Sequence, residues 1–285
     1  MVNMMDSILE NRKIVERYCL FDDLMMSKTF EDINCVSYLL GTIFHRDDLE
    51  IVDVRSQFEV RNLQGKSIRL DIFAIDKDGV IYDIEVQREN SQADPQRARY
   101  YSSMLDGNIL DKGKEHKELP ETHVIFITQK DYKDEGLPIY SVKRKYDETN
   151  EVFDDKVHIY YVNGEYQDDT PLGRLMHDFF CRDADDMYSE VIAERFGYLK
   201  KAKEGQKEMD DLLEVVKKRE WNAGLKVGEK RGKQIGEKTG EKKGIQKGIK
   251  ETKIEFVKRM NEDGLNIEII AKYAGLSVKE VMKII

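Results

Sequence analysis

The stretch that most limits how this chain can fold is RLDIFAIDKDGVIYDIEVQ, residues 69–87. Two apolar runs, rich in β-branched and aromatic residues, flank DKDG, a sequence suited to a tight turn. A hairpin centred near Asp78 sets Asp71 almost opposite Glu85, with the side chains roughly 5 Å apart on one face. Strand periodicity of two adds Gln87 and Asp83 to that face. Asp83 is harder to account for than the other two acids.

Two facing carboxylates repel unless a cation lies between them. An all-oxygen donor pair suits a hard divalent ion, Mg²⁺ or Mn²⁺. Such an ion polarises a phosphodiester and acidifies a bound water, so the pattern points to metal-assisted phosphodiester hydrolysis, with Asp71 and Glu85 as ligands. The competing reading is a half-exposed hairpin whose acids simply face solvent.

The flanking sequence builds an α/β domain. Apolar residues recur at helical spacing from Phe21 to Phe44, with Gly41 as the weak point, and predict one or two helices. LEIVDVRSQFEV precedes the hairpin as a further strand. Asp94 and Pro95 supply an N-cap and a first helical residue, so DPQRARYYSSMLDGNIL predicts a helix directly after the hairpin. HVIFITQ reads as a central strand buried on both faces. PIYSVKRKY and KVHIYYVNG predict another hairpin, turning near DETNEVFDD, and helices follow from Pro171 to about Trp221. On the new helix, Arg97, Arg99 and Tyr100 are candidates to meet phosphate; Arg97 or Arg99 pairing with Glu89 or Asp94 is the plainer alternative. Lys66 and Arg69 flank the acid strand as weaker phosphate candidates.

Charge divides the chain. The formal net charge is -9. Residues 224–253 carry ten Lys or Arg against four Glu, an excess of +6 that leaves -15 for the rest. This basic segment holds glycine at every fourth position, Gly224 through Gly248. It is not a P-loop, because its glycine spacing is wrong and no buried strand leads into it. Its lysines and glutamates forbid burial in lipid. Seven glycines cost a helix roughly 6 kcal/mol relative to alanine, which predicts a flexible tether, or a helix formed only against a partner chain. Beyond it, KIEFVKRMNEDGLNIEIIAKYAGLSVKEVMKII divides at Gly264 and Gly275 into a small helix-turn-helix-like unit. Its expected core is Ile267, Ile270, Ala271, Leu276 and Val281, and Ser277 with Glu280 forms a capping box. The final helix, VKEVMKII, has few groups for reading base edges, so protein docking or oligomerisation competes with DNA binding there.

Three scattered cysteines argue against a disulfide framework, no run of 18 apolar residues occurs, and no signal-like segment opens the chain. These features predict a cytoplasmic protein that no membrane holds. His177 lacks a second histidine at ligand spacing, and no nucleophile motif is present.

The D-x13-E-x-Q pattern of Asp71, Glu85 and Gln87, followed by RARYY, resembles the PD-(D/E)XK nuclease superfamily. It resembles in particular the branch of Rpn-family recombination-promoting nucleases and PD-(D/E)XK nuclease family transposases. Longer segments share the likeness: NLQGKSIRLDIFAIDKDGVIYDIEVQR, RARYYSSMLDGNILDKG, LPETHVIFIT, IYYVNGEYQDDTPLGRLMHDF and DADDMYSEVIAERFGYLK, across roughly residues 20–220. The resemblance implies an α/β restriction-endonuclease-like core, a mixed sheet flanked by helices, with a helical C-terminal extension. It implies Asp71 and Glu85 as metal-binding acids, with Gln87 where many members carry a lysine. Glutamine can position a water but supplies no positive charge. An extra acid from the first helices, Glu31 or Asp32, is also implied.

The expected layout is a helical lead at 1–20, the nuclease-like core at 21–165, its helical extension at 166–223, the basic linker at 224–253 and the terminal unit at 254–285. The expected activity is Mg²⁺- or Mn²⁺-dependent DNA endonuclease action in recombination or mobile DNA. The rivals are a catalytically weak DNA-binding or toxin-like defence protein and an interaction protein that forms homo-oligomers through the C-terminal region.

Overall fold

The computed structural model describes residues 4–62 and 64–285, with side chains from residue 9 onward. Two compact units divide the chain, Met1–Val215 and Val216–Ile285.

The first unit opens with helices α1 (Met4–Glu16), α2 (Asp23–Thr29) and α3 (Ile33–Phe44). Gly41 does not break α3. A Cβ there would lie 2.8 Å from the Arg46 carbonyl oxygen, so glycine permits the chain to fold back over the helix end. Strands β1 (Ile51–Val60), β2 (Ile68–Asp76) and β3 (Ile81–Gln87) form an antiparallel meander. The hairpin register pairs Ile72 with Ile84 and Phe73 with Asp83, which centres the turn on Asp78. Asp76 organises that turn by accepting from the Asp78 and Val80 amides and from the Tyr82 hydroxyl.

Helix α4 (Pro95–Ile109) follows, with Pro95 in its first turn and the Asp94 side chain accepting from the Arg97 amide. It is the crossover that allows β4 (Thr122–Thr128) to run parallel to β3. Next come β5 (Ile139–Val142) and β6 (Val157–Asn163), antiparallel to each other, with a bridge between Lys145 and Val152 inside their connection. The strand order is β1-β2-β3-β4-β6-β5. α5 (Pro171–Phe180) and α6 (Glu190–Lys201) complete a mixed sheet with helices on both faces.

One face of the sheet, through Ile72, Ile84, Val86, Ile125 and Val162, packs on α2, α3, α5 and α6 through Phe21, Phe30, Leu39, Phe179 and Phe196. The other face meets α4, where Met104 and Leu105 join Phe73 and Ile81, and Ala98 joins Val124 and Phe126. Every residue of β3 is buried, as a strand covered on both faces requires. The three cysteines are buried and free. At the end of β6 the Gly164 amide bonds to the Thr128 carbonyl, and an added Cβ would meet that oxygen at 2.6 Å and the Phe21 ring at 2.9 Å. Gly164→Ala is therefore expected to destabilise the protein by about 2 kcal/mol in urea denaturation.

Of the two expectations for the glycine-rich stretch, a flexible tether or a helix formed against a partner chain, the structure shows a helix. Helix α7 runs unbroken from Lys203 to Glu262, past Trp221 and through all seven glycines. Every residue from 217 to 253 is exposed, and beyond the local helix backbone none of the seven glycines has a described atom within 4 Å of an added Cβ. Two features explain the helix. The helix is anchored at both ends, with Met209 and Leu213 buried in the first core and Val257 in the second, so the middle only propagates an existing helix. The residues between the glycines, largely Lys, Glu, Gln and Arg, are strong helix formers. Replacing Gly232, Gly236 and Gly240 together by alanine should raise helicity and delay its thermal loss, as followed by circular dichroism. Loss of helicity would contradict the exposed placement.

The second unit ends in α8 (Ile267–Ala274) and the four-residue α9 (Val278–Val281). Gly264 and Gly275 take the left-handed conformation, with φ 79° and 60°. The Ser277–Glu280 capping box forms in both directions. Val257, Ile270, Ala271, Ala274 and Val281 make the buried core, while Ile267 and Leu276 are only partly buried. The eight-residue VKEVMKII helix is not present. One turn is too short to lie in a major groove as a recognition helix. Among the described residues, no helix is long and apolar enough to cross a membrane.

Candidate active site

The β2–β3 ladder stops at Ile72–Ile84, and at the next position side chains replace main-chain partners. The Asp71 amide donates to Glu85 Oε1 at 3.0 Å, and the Val86 amide donates to Asp71 Oδ2 at 3.1 Å. Asp71 and Glu85 are thus held face to face by each other's strands. Gln87 joins them, its amide nitrogen 3.3 Å from Asp71 Oδ2 and 3.3 Å from Glu85 Oε2. On β1, Gln57 adopts a left-handed backbone, φ 51°, and places its amide 3.5 Å from Asp71 Oδ1. A non-glycine residue in that region is strained, and such strain concentrates at working sites.

These acids are costly to ionise. Burial pushes Asp71 up from 3.8 to about 6, partly offset by the Val86 amide. Burial and the neighbouring acids hold Asp83 and Glu85 well above the ordinary carboxylate range. Both Asp83 oxygens are buried with no hydrogen bond among the described residues. A site that charges three acids needs cations.

One cation is already present. Arg97 reaches across from α4 to Glu85 Oε2 at 2.5 Å, and its guanidinium stacks 4.9 Å from the Tyr101 ring. Its partner is therefore neither Glu89 nor Asp94, and Asp94 is occupied with capping α4. Arg97→Ala leaves Glu85 buried without a cation and should cost the metal-free protein about 2 kcal/mol. That lies below the usual range for a broken buried pair because Glu85 can take up a proton. Urea denaturation measures it.

The acids open into a cleft of about 870 Å³. Of the residues expected at a site, Asp71, Gln87, Arg97, Lys66 and Arg69 line this cleft, and Glu85 lies fully buried behind them. Arg99 and Tyr100 do not line it. Helical spacing explains this, because Tyr101 is the residue one turn on from Arg97, while Arg99 is exposed on another face. Tyr100 instead donates to the Lys66 carbonyl and receives from Asn62, fastening the β1–β2 loop.

Glu31 and Asp32 are also elsewhere. Glu31 pairs with Lys28 and accepts from Ser56, and Asp32 caps α3. Asp23, the first residue of α2, is the helical acid that lines the cleft. Arg88, which sequence reasoning passes over, also lines it and pairs with Asp22 at 2.7 Å. Its signal is plain, since it directly follows Gln87.

A buried acid pair on a hairpin, an arginine from the crossover helix and a cleft lined by both acids and bases are the geometry that a nuclease-type fold uses. A family model, PD-(D/E)XK nuclease family transposase, matches residues 24–167. The chain belongs to this family. No curated protein and no solved structure matches the chain.

Proposed function

We propose that the protein is a metal-dependent DNA endonuclease that hydrolyses phosphodiester bonds in recombination or in mobile DNA. The observation that carries this reading is the forced pairing of Asp71 and Glu85 at the floor of a cleft rimmed by Lys66, Arg69, Arg88 and Arg97. Their oxygen-only donor set and proximity fit Mg²⁺ or Mn²⁺. Arg97 on Glu85 indicates that a cation is stable there. When bound, the ion would polarise the phosphate and acidify a water.

The chain's own residues have separate tasks. Asp71 and Glu85 would hold the ion. Gln87, with an amide in reach of both acids, would orient the attacking water, and lacks the charge to stabilise the leaving oxygen. Arg97 is the group able to supply that charge, by turning from Glu85 to phosphate once the ion takes over neutralisation. Lys66, Arg69 and Arg88 would position the DNA backbone.

The lining contains four acids, Asp23, Glu59, Asp71 and Glu89, against four bases, Lys66, Arg69, Arg88 and Arg97. Without an ion the cleft is close to neutral, so DNA affinity should itself depend on metal. With Ca²⁺ in place of EDTA, fluorescence anisotropy of a labelled duplex is expected to show at least about tenfold tighter binding at low salt. Equal binding in both would favour the rival of a DNA-binding protein that does not use its acids. The activity itself is tested by incubating supercoiled plasmid with Mg²⁺, Mn²⁺ or EDTA. Nicking in neither metal would refute the proposal.

A further inference from the structure

The sheet carries a second cluster of ligating side chains, away from the acids. Glu121 immediately precedes β4, His123 lies on β4, and His158 is its register partner on β6. Glu85 and Gln87 pair with Phe126 and Thr128, three and five residues beyond His123. The histidines thus sit about 10 to 17 Å back along the strands. They share the face of Tyr82, opposite to that of Glu85.

Three observations make this a built site. Nε2 of His123 and Nε2 of His158 converge on one atom, Glu121 Oε1, at 3.1 and 3.0 Å. Ligand atoms around an ion with ~2.1 Å bonds stand roughly 3.0 to 3.4 Å apart, so both N···O separations are already those of neighbours in one coordination shell. All the ligating atoms lie within 4.8 Å of one another. The imidazoles are also held in place. His123 stacks between Tyr82 at 5.0 Å and His158 at 4.7 Å, with the Phe44 ring edge-on at 5.2 Å. Finally, access is graded: the side chains of His123, His158 and Glu121 are 11%, 31% and 40% exposed, so the cluster reaches solvent on the Glu121 side.

We propose that Glu121, His123 and His158 bind a transition-metal dication of the Zn²⁺ class, clamping β4 to β6 at a site separate from the acid pair. Two imidazoles and one carboxylate favour Zn²⁺ over Mg²⁺, which prefers oxygen ligands, so Mg²⁺ is not expected at this site. Three protein ligands leave a position for solvent. His123 Nδ1 is buried without a partner among the described residues. The missing outer bond should weaken binding about 10- to 100-fold relative to a fully supported site.

The test uses the full chain stripped with EDTA, both wild type and the Asp71→Asn/Glu85→Gln double variant, titrated with ZnCl₂ by calorimetry. One equivalent is expected in the double variant, and in the wild type that equivalent plus whatever the acid pair takes up. His158→Ala and Glu121→Ala, both at partly exposed positions, should each weaken it at least about tenfold. Co²⁺ in place of Zn²⁺ should give visible ligand-field bands that disappear in His158→Ala. Saturating Zn²⁺ should raise the melting temperature of the double variant by about 5 °C, with no such rise when His158→Ala is added to it. The assignment is overturned if no equivalent binds, if His158→Ala and Glu121→Ala bind as wild type does, or if Mg²⁺ at the same concentration gives the same shift in the double variant.

Discussion

Asp71→Asn and Glu85→Gln are each expected to slow nicking of supercoiled DNA in Mg²⁺ about 1000-fold under single-turnover conditions. The amides are the informative replacements. The carbonyl oxygen introduced by Asp71→Asn can still accept from the Val86 amide, and the one introduced by Glu85→Gln can still accept from the Asp71 amide, so the bonds that fix the opened ladder survive. What disappears is the negative charge that would hold the ion. The corresponding alanine variants lose those bonds too and would mix folding with chemistry. Gln87→Ala should have a smaller effect, about tenfold to a hundredfold, because it removes orientation and leaves both ligands in place. Cleavage by either isosteric acid variant within tenfold of wild type would place the chemistry elsewhere.

The second large effect is on stability. In EDTA, Asp83→Asn should stabilise the protein increasingly as pH rises above the ordinary carboxylate range. The sign follows from the raised acids. Burial and Asp71 raise Asp83 in the folded protein, so it holds its proton to higher pH than the unfolded chain does, and the folded state loses stability as pH rises above about 4. Asparagine has no proton to lose. The comparison must be wild type against variant, because other groups slope the opposite way. Burial and His158 lower His123 from 6.5 to about 4, and burial lowers Lys200 from 10.5 to about 8. Each adds stability with rising pH, between about 4 and 6.5 for His123 and above about 8 for Lys200. Thermal melts from pH 5 to 8 should show a gap between wild type and variant that widens toward the upper end. Saturating Mg²⁺ should narrow the gap. A gap that shrinks with pH in EDTA would show that Asp83 is ionised in the folded protein.

Local signals carry much of the reading. The DKDG turn sets the register that brings Asp71 to Glu85, Asp94 and Pro95 mark the start of α4, and the continuous apolar run of HVIFITQ marks a central strand. Each depends on residues close in sequence. What escapes depends on distant chain. Asp23 and not Glu31 faces the cleft because of how α2 lies against β1 and β2, which no helical pattern encodes. Arg97 finds Glu85 only once α4 packs on the sheet. The glycine helix is not expected to stand alone because propensity summed over the run omits the anchors at Met209, Leu213 and Val257 that begin it from both ends. Tyr101 is legible, one turn from Arg97, and the adjacent Tyr100 obscures it.

The crossover also bears on the order in which the domain assembles. A hairpin brings Asp71 and Glu85 together over a separation of 14 residues, a short loop to close. The cation that neutralises Glu85 arrives on α4, whose packing needs Val124 and Phe126 of β4 and Tyr161 of β6 already in place. By loop length the acids are expected to meet before their counter-charge does, and would then stay wet or protonated until the helix docks. Alkaline conditions should slow refolding more than they speed unfolding, and the nascent sheet would be most exposed to error in the interval before its sixth strand has paired.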